Sequence, residues 1–195
     1  MGKQIYLKKI EDMLEKSPVV DFRSIQRIVG IKKLNNNYSK LLIFNMLKNG
    51  SIKKIGKGFY TKHNESSLAV FSLKPAYLGL QSSLSNLGLW EQETIPVILT
   101  VKKVRRGIRK VLGVNILVRN IDKKYFFGFE FVKEGDFYLP YSDLEKTFID
   151  MVIFNEKIDN LTLKNIKKRI NKKKLSGYLN KYPKRLRLKV EKHLV

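Results

Sequence analysis

Asn35-Asn36-Asn37-Tyr38-Ser39-Lys40-Leu41-Leu42-Ile43-Phe44-Asn45-Met46-Leu47-Lys48-Asn49-Gly50, running on through Ser51-Ile52-Lys53-Lys54-Ile55-Gly56-Lys57-Gly58-Phe59-Tyr60-Thr61, is the stretch on which the fold turns. The asparagine run opens a helix over 38–48, and Asn49-Gly50 closes it with a left-handed cap. Ser51 to Ile55, the glycine-flanked Lys57 and then Phe59 to Thr61 read as strand, turn and strand, a β-hairpin. Upstream, Tyr6, Ile10, Met13 and Leu14 recur at helical spacing and predict a helix over 4–16, ended by Ser17-Pro18. Asp21 is an N-cap residue type, and Phe22, Ile25, Ile28 and Val29 give a second short helix that stops near Gly30. Three helices followed by a hairpin is the order of a winged helix-turn-helix, expected over residues 1–63.

That order carries a physical expectation. The third helix of such a motif lies in the major groove of duplex DNA with its N-terminal residues nearest the base edges. Here those residues are Asn36, Asn37, Tyr38, Ser39 and Lys40. An asparagine pairs bidentately with adenine, and serine or lysine reaches bases or phosphates. The hairpin presents Lys53, Lys54 and Lys57, the last at a tight turn suited to a phosphate or the minor groove.

Charge points the same way. The 195 residues hold 40 basic and 17 acidic side chains, a net +23. Residues 1–64 carry +10, residues 65–160 carry +1 and residues 161–195 carry +12. A polyanionic partner fits this concentration of cations at the two ends. Within the near-neutral middle, Lys102, Lys103, Arg105, Arg106, Arg109 and Lys110 form a basic run read as a loop between strands, a candidate second nucleic-acid surface together with Lys167, Lys168, Lys172 and Lys173.

Beyond a polar linker at 63–67, residues 77–89 read as a helix with Tyr77, Leu80, Leu84 and Leu87 on one face. Strands are expected at 97–101, 114–118, 125–132 and 136–141, which makes residues 68–160 an α+β domain with a mostly antiparallel sheet. Ser142 and Glu145 have capping-box spacing and start a helix reaching 154. Apolar residues at helical spacing, from Leu163 to Leu194, predict basic helices over 161–195 packed on that domain.

Several function classes recede. The chain has no cysteine and two histidines, His63 and His193, so thiol chemistry is excluded and a zinc or histidine-based catalytic site is not expected. Paired acids with a catalytic lysine, a phosphate loop and a nucleophile elbow are all missing, and Glu145 and Asp150 are read as helix residues rather than catalytic carboxylates. The expectation is a cytoplasmic, non-enzymatic protein without metal or cofactor that binds double-stranded DNA and does not bind membranes. The competing reading is a basic, ribosome-associated RNA-binding protein, in which Tyr125, Phe127, Phe129 and Phe131 stack bases.

Three stretches also resemble a known family: Gly56-Lys57-Gly58-Phe59-Tyr60, Ser82-Ser83-Leu84-Ser85-Asn86-Leu87-Gly88-Leu89, and Glu145-Lys146-Thr147-Phe148-Ile149-Asp150. They look like the AbiEi antitoxin family, regulators from abortive-infection toxin–antitoxin operons. The resemblance implies a repressor that binds operator repeats in its own promoter. It further implies a neighbouring nucleotidyltransferase-like toxin, countered without a tight protein complex. The sequence sets no oligomeric state.

Overall fold

A computed structural model describes the backbone of residues 2–30 and 33–194, and the side chains of residues 5–30 and 37–194. The chain divides into two compact units, one of Met1–Ser72 with Lys110–Val114, the other of Leu73–Arg109 with Asn115–Val195.

In the first unit the order is α1 (Gly2–Lys16), β1 (Val20–Asp21), α2 (Phe22–Val29), α3 (Lys33–Lys48), β2 (Lys53–Gly56) and β3 (Phe59–Thr61). Ile10, Leu14, Val20, Ile25, Val29, Leu42, Ile43, Met46, Ile52 and Tyr60 form its core. Asp21 caps α2 by accepting a 2.7 Å bond from the Ser24 backbone N–H. The three strands pair antiparallel in the order β1-β3-β2, with Val20 opposite Tyr60 and a register shift between Lys54 and Gly56. Beyond the β1–β3 pairing, Phe22 N–H donates to the Gly58 carbonyl at 2.8 Å, and Thr61 Oγ1 to that of Pro18 at 2.6 Å, which ties the hairpin to what precedes it. Gly56 is required by packing, since a Cβ there would sit 2.6 Å from Ser72 Cβ. Helix α3 begins at Lys33, so the asparagine run lies inside the helix rather than ahead of it. Asparagine costs a helix only about 0.7 kcal/mol relative to alanine, which the rest of the helix absorbs.

The second unit follows a 3-10 turn at Ser66–Leu73. It contains β4 (Ala76–Leu78), α4 (Gln81–Asn86), β5 (Val97–Thr100), β6 (Gly107–Val111) and β7 (Val114–Asn120) apart from their Lys110–Val114 portion, β8 (Phe129–Glu134) and β9 (Phe137–Ser142). Four helices complete it: α5 (Leu144–Ile153), α6 (Asn160–Arg169), α7 (Lys172–Leu179) and α8 (Lys184–Lys192). The six strands run in the order β6-β7-β5-β4-β9-β8. β4 pairs antiparallel with β5, and β8 with β9, while β4·β9 and β5·β7 are parallel. The architecture is mixed α+β, and most paired positions across the two sheets are antiparallel. Helix α5 is the core element, buried at every residue from Leu144 to Val152. Ile166, Ile170, Leu175, Leu179, Tyr182 and Val190 of the basic tail join the cluster that contains Tyr77, Leu84, Leu99 and Phe148.

Four expectations need correction. Tyr77 and Leu78 belong to a strand, and only Gln81–Asn86 is helical. The i, i+3 spacing of Tyr77 and Leu80 arises where a strand turns into a helix through Leu80 at φ 54°, so both side chains still enter one core. The alternating aromatics do not form one strand: Lys123–Tyr125 is a 3-10 turn, Gly128 has φ 70°, and β8 starts at Phe129. The cap of α5 is Asp143, whose carboxylate accepts the Lys146 N–H at 2.8 Å, one residue beyond the expected Ser142. The basic run is not all loop, because Gly107 to Lys110 lie in β6.

Candidate nucleic-acid interface

The site begins with α3, whose two faces separate cleanly. At about 100° per residue, Ser39, Leu42, Ile43 and Met46 fall on one side, and all four are buried. Asn37, Lys40, Leu41, Phe44 and Lys48 fall within an arc of about 100° on the other side, and all five are exposed. Tyr38 sits between the faces, half-buried against the core with its ring edge-on to Tyr6 at 6.0 Å. Ser39 therefore leaves the expected set, since a side chain with no exposed surface cannot meet a ligand. The side chain of Asn36 lies outside the described residues.

On the hairpin, Lys54 and Lys57 are exposed. Lys57 precedes Gly58, whose φ of 74° makes the tight turn. Lys53 is half-buried and donates to Asn64 Oδ1, which diverts it from a ligand. The first unit thus offers Asn37, Lys40, Lys54 and Lys57 from the expected set. Among the described residues, the outward side chains of α3 that the sequence pattern did not single out are Leu41, Phe44 and Lys48. Their signal was the helical position of each relative to Ser39 and Met46, obscured because apolar residues occupy both faces.

In the second unit, Lys102, Lys103, Arg105 and Arg106 are exposed between β5 and β6. Arg109 is turned back onto the Arg105 carbonyl, and Lys110 belongs to the first unit. Lys168, Lys172 and Lys173 are exposed on α6 and α7, and Lys167 is half-buried. Other tail cations are structural. Arg169 donates to the Leu87 carbonyl at 2.8 Å, and Lys189 to the carbonyl of Val152 at the C-terminal end of α5 at 2.8 Å. Lys174 bridges Asp143 at 3.1 Å and Glu145 at 3.2 Å. Burial works against its charge, yet those two carboxylates hold its ammonium above the ordinary lysine value.

The second unit also encloses a polar cluster. Lys146, with no exposed surface, forms an ion pair with the equally buried Asp150. Asp150 accepts from the Tyr77 hydroxyl at 2.7 Å, and Lys146 donates to that of Tyr182 at 3.1 Å. The Lys146 ammonium lies 5.3 Å from the Phe127 ring centre. Burial pushes the Asp150 carboxyl up and the Lys146 ammonium down, and their mutual attraction opposes both shifts. Asp143 accepts from the Tyr178 hydroxyl at 2.7 Å, and Glu145 from the Asn171 N–H at 2.8 Å. These acids are committed to internal partners, which fits a structural cluster better than a catalytic one.

The proposed base-stacking strand does not exist as such. Tyr125 stacks on Tyr182 at 4.2 Å, Phe127 meets Tyr178 at 5.0 Å, and Phe129 stacks on Tyr77 at 5.4 Å. Of the four rings only that of Phe131 is exposed. Among the described residues, no group of three or more His, Cys, Asp or Glu gathers to hold a metal, and no helix is long and apolar enough to cross a membrane.

No protein-family model matches the sequence, and no curated protein matches it. The fold is similar to that of the RV2827C protein from Mycobacterium tuberculosis, with a TM-score of 0.61 at 11% identity over 97% of this chain and 76% of that one. At that identity the likeness concerns the fold alone.

Proposed function

We propose that the chain is a cytoplasmic DNA-binding regulator whose first unit is a winged helix-turn-helix, with α3 as the groove helix and the β2–β3 hairpin as the wing. The observation that carries this reading is the outward face of α3. It is open, it holds Asn37 and Lys40 without a single acidic residue on the helix, and the hairpin adds exposed Lys54 and Lys57. Lysines of this kind neutralise phosphates, and asparagine supplies base readout. The antitoxin role, with an autoregulated operator and a nucleotidyltransferase-like toxin as its target, rests on the resemblance to the AbiEi family. RNA binding is the weaker reading, because three of the four rings it relied on are occupied by internal contacts.

Duplex binding across a salt series tests the proposal. Lys57→Ala should weaken binding to every duplex and flatten the slope of log K against log salt by about one unit. Asn37→Ala should instead relax sequence preference. Undetectable duplex binding at low salt, or structured RNA outcompeting every duplex, would overturn it. Rescue of growth on co-expression with the product of a neighbouring nucleotidyltransferase-like gene tests the antitoxin part separately.

A further inference from the structure

We propose that α3 reads thymine methyl groups through Leu41 and Phe44, so that the preferred duplex contains A·T pairs; this rests on the DNA-binding reading above. Leu41 and Phe44 are 53% and 60% exposed, whereas Leu42, Ile43 and Met46 on the same helix are at most 4% exposed. Single exposed apolar residues are ordinary. These two are paired on one stripe between Asn37, Lys40 and Lys48, on a helix with no acid. A ligand complementary to that stripe is anionic and also offers small apolar groups. The major groove of DNA meets both conditions, since each thymine projects a C5-methyl between the phosphate rails. RNA does not, because it carries uracil and its major groove is too narrow for side chains to read.

The spacing is compatible with neighbouring base pairs. From Asn37 to Phe44 the helix rises about 10.5 Å, about three base steps of 3.4 Å. Asn37 is suited to the adenine N6 and N7 of such a site, and Leu41, one turn on, to a thymine methyl.

The test selects a random-sequence duplex pool on the full chain at low salt. The enriched duplexes are then remade with uracil at each thymine in turn, which removes one methyl and preserves base pairing. Affinity is expected to fall about fourfold at one or two positions, the worth of one buried methyl-sized group. Leu41→Ala and Phe44→Ala each abolish the sensitivity at one position, and being surface changes they keep the parent's unfolding midpoint. Lys57→Ala lowers affinity for thymine and uracil duplexes equally. Uracil duplexes that bind as well as their thymine parents overturn the inference and leave DNA binding intact. Full sensitivity persisting in the Leu41→Ala/Phe44→Ala double variant overturns it as well. Failure to enrich any duplex removes this inference and the DNA-binding reading together.

Discussion

Lys146 and Asp150 stand one helical turn apart on α5, and their burial makes each the other's main compensation. Removing one partner of such a pair strands a charge in a low-dielectric interior, at a cost of about 3–5 kcal/mol. Asp150→Ala is therefore expected to lose about that much in denaturant unfolding, read as a lowered midpoint with an unchanged slope. Lys146→Met/Asp150→Asn removes both charges and keeps an acceptor for the Tyr77 hydroxyl, so it should lose clearly less than Asp150→Ala. A double variant as weak as the single one would refute the pairing argument. The pH response of Asp150→Asn gives an independent check. Burial already lowers the Lys146 ammonium, and the attraction of Asp150 is the main force holding it up. With that carboxylate gone, Tyr77, Tyr182 and Phe127 face the ammonium, and only the more distant Asp143 still attracts it. A lysine whose folded value lies below the unfolded value of about 10.4 binds fewer protons when folded, so stability rises with pH up to that point. The gap between parent and Asp150→Asn should narrow from pH 7 to 10, and a constant gap would rule the account out. The sequence shows the i, i+4 spacing of this pair but not its burial, which depends on Tyr182 returning 36 residues later to meet Lys146.

Helix ends show how far local pattern reaches. Asp21 was readable as a cap because nothing nearby competes for the role, and it caps α2 as expected. At α5, Ser142-x-x-Glu145 imitates a capping box, but tertiary structure claims both residues: Ser142 Oγ meets Ser83 at 2.9 Å and Thr147 at 2.7 Å, and Glu145 holds α7. Asp143 takes the cap and also accepts from Tyr178 on α7. Asp143→Ala should therefore cost more than Asp159→Ala, which removes only an exposed cap of α6. A double-mutant cycle of Asp143→Ala with Tyr178→Phe should give a coupling of about 1 kcal/mol, and additive losses would deny the tie between α5 and α7. Gly128 stands at the same junction. Its φ is 70°, and a Cβ there would lie 2.9 Å from both Lys146 Cβ and Tyr178 Cε2. Gly128→Ala should cost well over 1 kcal/mol. No local rule reveals such constraints, and none divides Leu41 and Phe44 from Leu42 and Ile43. That division comes only when α1 and α2 close over one side of α3.

Across the whole molecule the two clusters of positive charge have different fates. The first unit presents Lys40, Lys48, Lys54 and Lys57 on α3 and the hairpin, all exposed. On the proposed DNA-binding reading, four phosphate contacts from these lysines would give a slope of about −3.6 in log K against log salt. In the tail, Arg169, Lys174 and Lys189 are spent on the fold, so its +12 overstates what a ligand meets. Lys168, Lys172 and Lys173 remain exposed, as do Lys102, Lys103, Arg105 and Arg106 beside β6. If the second unit also lies along the duplex, the slope of the parent chain must be steeper than about −4. The variant Lys168→Gln/Lys172→Gln/Lys173→Gln should then flatten it by about 2.7 units, roughly 0.9 for each phosphate no longer neutralised. Phosphate contacts carry no sequence information, so the ranking of selected duplexes should not change, in contrast to Asn37→Ala. A parent slope near −3.6 that the triple substitution leaves alone would restrict DNA contact to the first unit and turn the tail's cations toward an acidic protein surface instead.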